Sequence, residues 1–361
     1  MDEAALRERM RSANGKGAAR HNTRGVHDGL VLTKATGLDG LDELAASGRL
    51  TDISAWDDGE CWVQGPPLGP GWHPGPALFS SRTELVEAAG ELAARAGYPG
   101  DLQAAPRSVW ADATGLRTWV ELSGLRANLT LRVPYLRAFS RAELVGSGMM
   151  SADVATFIWD AFAQRLTLLI AGPGDAGKTT VIRALIESLD PSERTLTMEE
   201  LPELHVSRRN VVALAGRPAN AEGVGAHRLR ELVDHALYGS ADRLVVGELR
   251  GPEADSFLRA LSSGHKGGLG AIHAGTARQA ATELVRYATE GMGPDSAEAA
   301  AGRVRAGIDL IVVLADKSAR GVIEIAEVSG GDPLDRSEVP LGTLWDRGHW
   351  LVDPAQWWAQ R

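Results

Sequence analysis

Cysteine is almost absent: Cys61 is the single one in 361 residues. An internal disulfide is therefore excluded, in agreement with a reducing compartment. Cys61 stands between Glu60 and Trp62 in a strand-like run and reads as a small half-buried residue rather than a nucleophile. A basic excess is also missing. The net charge of −9 argues against a protein whose main task is coating nucleic acid. No apolar run reaches the roughly 18–20 residues of a membrane span. No apolar core opens the sequence as in a signal peptide, so we expect a cytoplasmic protein. Lysine is scarce: Lys16, Lys34, Lys178, Lys266 and Lys317 are the five among 38 basic residues. What remains is the composition of a soluble globular protein, 44% apolar and 24% charged, with a length that fits roughly two domains.

One of those rare lysines sits in the stretch that organises the chain, Gly172-Pro173-Gly174-Asp175-Ala176-Gly177-Lys178-Thr179. It matches G-x-x-x-x-G-K-[ST], the phosphate-binding P-loop. The apolar segment 166–170 before it reads as a buried strand. Val181, Ile182, Leu185 and Leu189 after it recur at helical spacing. Strand, glycine-rich turn and helix are the context the motif needs. Glycines let backbone N–H groups face an anion, and the helix adds its positive end. Lys178 is expected on the β- and γ-phosphates, and Thr179 on Mg2+.

Before this motif we expect a basic, flexible tail over 1–27, a small α+β domain over 28–135 and a linker over 136–142. Leu38, Leu41, Leu44 and Ala45 predict a short helix; 50–53 and 60–64 predict strands. Pro66, Pro67, Pro70, Pro74 and Pro76 predict a loop over 65–77. Ser81 is a fair N-cap for a helix over 83–96, and 110–112, 118–122 and 128–133 read as strands. Trp56, Trp62, Trp72, Trp110 and Trp119 lack interleaved basic residues and read as core or loop anchors, not a base-stacking platform. The nucleotide-binding domain then spans 143–361. Its last part holds a predicted hairpin, 308–314 with 322–328, and a tail with Trp345, Trp350, Trp357 and Trp358. That tail either packs on its own domain or docks a membrane partner.

Acids and histidines supply the remaining chemistry. The strand 195–198 ends in Glu199, Glu200 and Glu203, at the position where open α/β sheets bind ligands. A carboxylate there either serves Mg2+ and its water or forms a solvated turn. The strand 243–246 ends in Gly247-Glu248, where an acid can reach Mg2+ and the attacking water. His265 and His273 are eight apart with no Cys or carboxylate between them, a poor metal site.

In this order, four blocks resemble the type II/type IV secretion system ATPase family, most closely its CpaF-type (tight-adherence pilus assembly) branch. They are the P-loop, the 197–204 run Thr-Met-Glu-Glu-Leu-Pro-Glu-Leu, the 245–254 run around Gly247-Glu248, and 264–274 with its two histidines. The run 217–223 also fits. The resemblance implies an α/β fold, a RecA-like P-loop ATPase core preceded by a smaller α+β N-terminal domain. It implies a homo-hexamer on the inner face of the cytoplasmic membrane, driving integral inner-membrane platform proteins with ATP and Mg2+, and no specific nucleic acid. By position it assigns Gly172, Gly174, Asp175, Ala176, Gly177, Lys178, Thr179 and Thr180 to nucleotide, with Arg132, Arg230 and Arg250. It assigns Glu248, Glu199, His265 and His273 to catalysis, and Thr179, Glu199 and Glu248 to the metal.

The chain also departs from the family. Asp175 replaces a small residue, Tyr238 stands where an arginine is usual, Lys266 where an Asp is usual and Ala271 where a Thr is usual. We therefore expect turnover below the roughly 10 per second typical of enzymes, or turnover that needs ring neighbours. The competing readings are a nucleotide-binding regulator or scaffold with little turnover, and a DNA-dependent ring NTPase.

Overall fold

The computed structural model describes residues 50–65, 68–112, 114–134, 138–220, 222, 224–293, 295–316, 319–329 and 339–361. The expected tail 1–27 and the predicted helix 38–45 lie outside them. The chain divides into two compact units, 1–136 with 218–226, and 137–217 with 227–361.

In the first unit, alternating apolar residues build a six-stranded antiparallel sheet. Its strands are β1 (Asp52–Trp56), β2 (Cys61–Gly65), β3 (Gly69–Pro74), β4 (Arg107–Ala111), β5 (Arg117–Glu121) and β6 (Asn128–Arg132). Their order is β3-β2-β1-β6-β5-β4. The register pairs Ile53 with both Val63 and Leu131, and Ala55 with Cys61 and Leu129, so one face is continuously apolar. Helix α1 (Arg82–Arg95) shares that core through Leu85, Ala88, Ala89, Leu92 and Ala93. Ser81 caps it, accepting from the Glu84 N–H. Cys61 is buried in the same core, and burial pushes its thiol up to about 12.

The proline-rich stretch expected as a loop contains a strand, β3. It pairs with β2 alone, at the sheet edge. An edge strand leaves half its N–H groups unpaired, so Pro70 and Pro74 remove no bond that the ladder needs.

The second unit is a nine-stranded sheet covered by helices on both faces. Helices α2 (Arg141–Gly146) and α3 (Ala152–Ala163) lead into β7 (Leu168–Ala171), and α4 (Lys178–Glu187) follows the P-loop. Then come β8 (Thr195–Glu199), β9 (Val211–Ala215), α5 (Leu229–Ala236), β10 (Arg243–Leu249), α6 (Glu253–Ser262), β11 (Leu269–Ile272), α7 (Ala277–Met292) and α8 (Ala297–Gly307). β12 (Leu310–Leu314), β13 (Val322–Val328), β14 (Leu341–Asp346), β15 (His349–Trp350) and α9 (Pro354–Ala359) complete the unit. The strand order is β15-β14-β13-β12-β7-β11-β10-β8-β9. β12, β7, β11, β10, β8 and β9 are parallel, and β13 to β15 extend the sheet antiparallel. Along β7, Leu169 and Ala171 enter the core with α5 to α8, while Leu168 and Ile170 enter the one with α2, α3 and α4. Burial on both faces explains why the strand reads as an unbroken apolar run.

Four helices escaped the sequence reading, the short α9 in the tail among them. α2 starts inside the expected linker, where Ser140 and Glu143 form a reciprocal capping box. α7 and α8 bury Ala277, Ala280, Ala281, Ala288, Ala300 and Ala301, so their inward stripes are mostly alanine and carry little hydrophobic contrast.

The tryptophan-rich tail packs on its own unit. Trp345 and Trp357 are buried, and Phe157 of α3 lies 5.1 Å from both the Trp350 and Trp357 rings. The Trp357 indole N–H donates to Glu327 at 2.7 Å, and the Trp350 indole N–H donates to Asp153. Trp345 and Trp357 are thus core residues of their own unit, while Trp350 and Trp358 stay half-buried. Trp357→Ala should cost about 3–5 kcal/mol of stability, the usual range for a buried tryptophan. Denaturant unfolding checks this; a loss within about 0.5 kcal/mol, typical of surface sites, would contradict it.

Candidate functional site: a nucleotide site at the C-terminal edge of the parallel sheet

Because β7, β10 and β11 run parallel, the segments after them leave the sheet at one edge. β7 pairs Ala171 with Ile272 of β11, so Gly172 and His273 emerge side by side. Gly172 has no room for a side chain: a Cβ would stand 3.0 Å from Ala176 Cβ and 3.1 Å from the Leu314 carbonyl. Gly177, left-handed at φ 95°, starts α4. Beside Gly174 there is open space. Asp175 is exposed and also left-handed, at φ 59°, a conformation that Asp tolerates better than most residues. Ala176 is buried beneath the loop, and Thr179 and Thr180 are half-buried in the first turn of α4.

Lys178 is buried, and its ammonium is satisfied by the loop itself. Nζ donates to the carbonyls of Gly172 and Pro173, each at 2.9 Å, and lies 3.4 Å from His273 Nδ1. Burial pulls its pKa below the ordinary lysine value, opposed by the charges of Glu248, Asp175 and Glu203.

Glu248 owes its aim to a β-bulge. Between β10 and β11, Val246 pairs with Gly270 and Leu249 with Ile272, so Gly247 and Glu248 together face Ala271. An extra residue of this kind turns a side chain off the strict alternation, which is why bulges gather beside active sites. Gly247 is required because β8 lies alongside: a Cβ there would meet Glu199 Cγ at 2.7 Å. Glu248 is then held through both oxygens, Oε2 by the Arg250 guanidinium and Oε1 by His273 Nε2. Arg250, Glu248, His273 and Lys178 form one continuous chain of contacts. Glu253, buried at the start of α6, accepts the N–H groups of Arg250 and Gly251 and fixes the turn after the bulge. The sequence reading missed Glu253, whose signal is a carboxylate opening a helix just behind a Gly-Pro turn.

Glu199 ends β8 and is buried. Its Oε1 accepts the N–H groups of Glu203 at 3.1 Å and Leu204 at 3.0 Å, so the acidic run is an ordered turn. Burial pushes its carboxyl up to about 7, against the pull of those two bonds.

His265 corrects an expectation. It precedes β11, whereas His273 follows it, so the two stand at opposite ends of that strand. Gly267, two residues on, packs against Arg165 and Arg243, ahead of β7 and at the start of β10. A parallel strand separates its two ends by its whole length, so His265 does not join the Lys178 group. Arg230 lies in a different cluster, 4.0 Å from the buried Asp255, which Arg259 and Arg303 also face. Arg132 belongs to the first unit, 3.9 Å from Asp52.

Thr179 and Glu248 offer hard oxygen donors of the kind Mg2+ takes beside substrate phosphates. Among the described residues there is no group of three or more His, Cys, Asp or Glu side chains that could hold a metal ion.

The raised Glu199 pKa carries a stability consequence. A folded-state value above the ordinary 4.5 means that folding favours the protonated acid. Its stabilising share is complete below pH 4.5 and is lost as pH rises through about 7. The shift corresponds to about 3 kcal/mol. Unfolding of the nucleotide-free protein should therefore become easier across that window, and Glu199→Gln should flatten the slope. The same slope in wild type and Glu199→Gln would contradict it.

Comparison with known proteins agrees with this geometry. The family model for type II/IV secretion system proteins matches residues 121–322. A Mycobacterium tuberculosis protein named for conjugal transfer is 32% identical over 259 residues, 68% of this chain and 71% of its own. The type IV secretion system protein VirB11 of Bartonella quintana is 28% identical over 236 residues, 56% of this chain and 65% of its own. Among solved structures, the Legionella pneumophila ATPase DotB superposes with a TM-score of 0.59 at 16% identity, covering 84% of this chain and 86% of its own. The pilus retraction motor PilT superposes at 0.54 with 15% identity, covering 86% and 82%. With a P-loop, a re-aimed Glu248 and a parallel α/β core in place, the chain belongs to the type II/IV secretion system protein family.

Proposed function

We propose that the chain is the ATP-hydrolysing motor of a secretion, conjugation or pilus-assembly apparatus, on the tight-adherence branch that its sequence resembles. It works as a homo-hexamer, peripheral on the inner face of the cytoplasmic membrane, and pushes on integral-membrane platform proteins. Among the described residues no helix is long and apolar enough to cross a membrane. The observation that carries the ATPase chemistry is the contact chain from Lys178 through His273 to Glu248.

In this reading Lys178 exchanges the Gly172 and Pro173 carbonyls for β- and γ-phosphate oxygens. Backbone N–H groups of 174–180 cradle the phosphates at the positive end of α4. Glu248, held by Arg250 and His273, polarises the attacking water. Thr179 and Glu248 would hold Mg2+ through their oxygens, and Glu199, with Oε1 spent on the 200–204 turn, would stand by as a further acceptor. The metal, when bound, neutralises charge that develops on the phosphates. Arg250 sits nearest the reacting group; Arg132 and Arg230 are offered as contacts made in the ring.

The test is ATP turnover by the assembled protein beside Lys178→Ala and Glu248→Gln. Glu248→Gln should lose about 10²–10⁴ of kcat while still binding ATP, the range for removing a general base. Lys178→Ala should lose binding and turnover together. A second reading, a regulator that binds ATP without turning it over, is favoured by Asp175 in the loop and by exposed Tyr238 in place of an arginine. Tight ATP binding with no turnover, even with membranes added, would select it. Asp175→Gly should then tighten ATP binding about three- to tenfold by removing a like charge near the phosphates.

A further inference from the structure

A phosphate cradle built on glycine has an inherent weakness. Glycine has no side chain to wedge it in place, so neighbours must limit its conformational freedom. The P-loop is held at both ends. At its start, the Leu314 carbonyl oxygen and Cβ stand 3.1 Å and 3.2 Å from where a Gly172 side chain would begin. At its end, the methyl carbon of Met149, Cε, stands 2.9 Å from the same point on Gly177. Among the described residues, leaving aside the chain neighbours of Gly177 and its own helix, no other atom comes within 4 Å of that point.

The two holding residues belong to one frame. Met149 is buried between α2 and α3, just after the left-handed Gly148. Its N–H donates to the Leu144 carbonyl at 3.0 Å, and its carbonyl accepts the Val322 N–H at 2.8 Å. Val322 opens β13 and pairs with Leu314 at the end of β12. β12 in turn runs beside β7, with Val313 opposite Ala171. A path therefore leads from Gly177 through Met149, Val322 and Leu314 back to Gly172. Its link to Gly177 is the tip of one side chain. Methionine suits that link, because an unbranched chain reaches far and fills an irregular gap without a directional bond. We propose that Met149 is a positioning residue for ATP binding. Its methyl group holds Gly177 in the left-handed turn that starts α4, and so aims the backbone N–H groups of 174–180 at the phosphates.

This proposal rests on the P-loop binding ATP, yet its first test uses neither nucleotide nor turnover. In the full-length, nucleotide-free protein, backbone hydrogen exchange over 172–180 should be faster in Met149→Ala than in wild type. ATP should bind about tenfold more weakly, the factor expected when the competent loop is populated a tenth of the time. KM should rise with it while kcat stays within about twofold, the pattern of lost uniform binding. Met149→Leu keeps the core filled, since that exchange is well tolerated, but leucine ends one atom short of Gly177. It should keep the wild-type melting temperature and still speed exchange and weaken ATP binding. Met150→Ala empties the same core without touching Gly177, so it should lower the melting temperature and leave exchange over 172–180 and ATP affinity as in wild type. Equal effects in Met150→Ala, or a fall in kcat at unchanged KM in Met149→Ala, would each overturn the proposal. Wild-type exchange and affinity in Met149→Leu would do so even where Met149→Ala does not fold. A wild type that binds no ATP overturns the nucleotide reading, and the exchange data then still decide whether Met149 holds Gly177.

Discussion

Parallel register is the constraint on which the second unit depends. β7 is buried on both faces, with Leu169 and Ala171 in one core and Leu168 and Ile170 in the other. A slip of one residue would exchange those sets between two differently shaped cores, so hydrophobic packing locks the strand lengthwise. The same lock sets chemistry. With Ala171 opposite Ile272, and Val246 opposite both Gly270 and Met198, the chain reversals at Gly172, Glu199, Glu248 and His273 come to one edge. Apolar burial of the strands thus supplies the placement of polar groups that share no sequence neighbourhood.

At that edge, steric and electrostatic demands meet at Gly247. The glycine gives Glu199 its space, and the bulge it belongs to gives Glu248 its direction. The charges around Lys178 are then finely opposed. Burial and Arg250 disfavour its ammonium, while Glu248, Asp175 and Glu203 favour it. The loop carbonyls of Gly172 and Pro173 satisfy its donors in the free chain. A buried ammonium must be satisfied by something, and polar groups that can be exchanged for phosphate oxygens let it be satisfied in both states.

The P-loop, its flanking strand and helix, and the Gly247-Glu248 strand were legible in the sequence because each combines a short-range pattern with a fixed residue type. So was the hairpin of β12 and β13, whose register pairs Val312 with Ile325. What stayed hidden depends on contacts across the sequence. The bulge is a property of two strands together, so Glu248 could be named but not aimed. His265 and His273 look equivalent in a run of ten residues, and only a strand laid between them separates their ends. Alanine-lined α7 and α8 lack the contrast that reveals a helix, and proline misdirected the reading of β3 because an edge position is not encoded locally.

Cys61 has a practical consequence at the bench. It is the chain's sole thiol, its side chain is packed inside the first unit's core, and burial holds its pKa near 12. Thiol reagents attack the thiolate, and this one is neither ionised nor reachable while the unit stays folded. The protein thus arrives with a silent background for site-selective labelling. A cysteine placed at the exposed Tyr238, beyond the end of α5, would take up a dye or spin label alone, and natural labelling at Cys61 would report unfolding of the first unit.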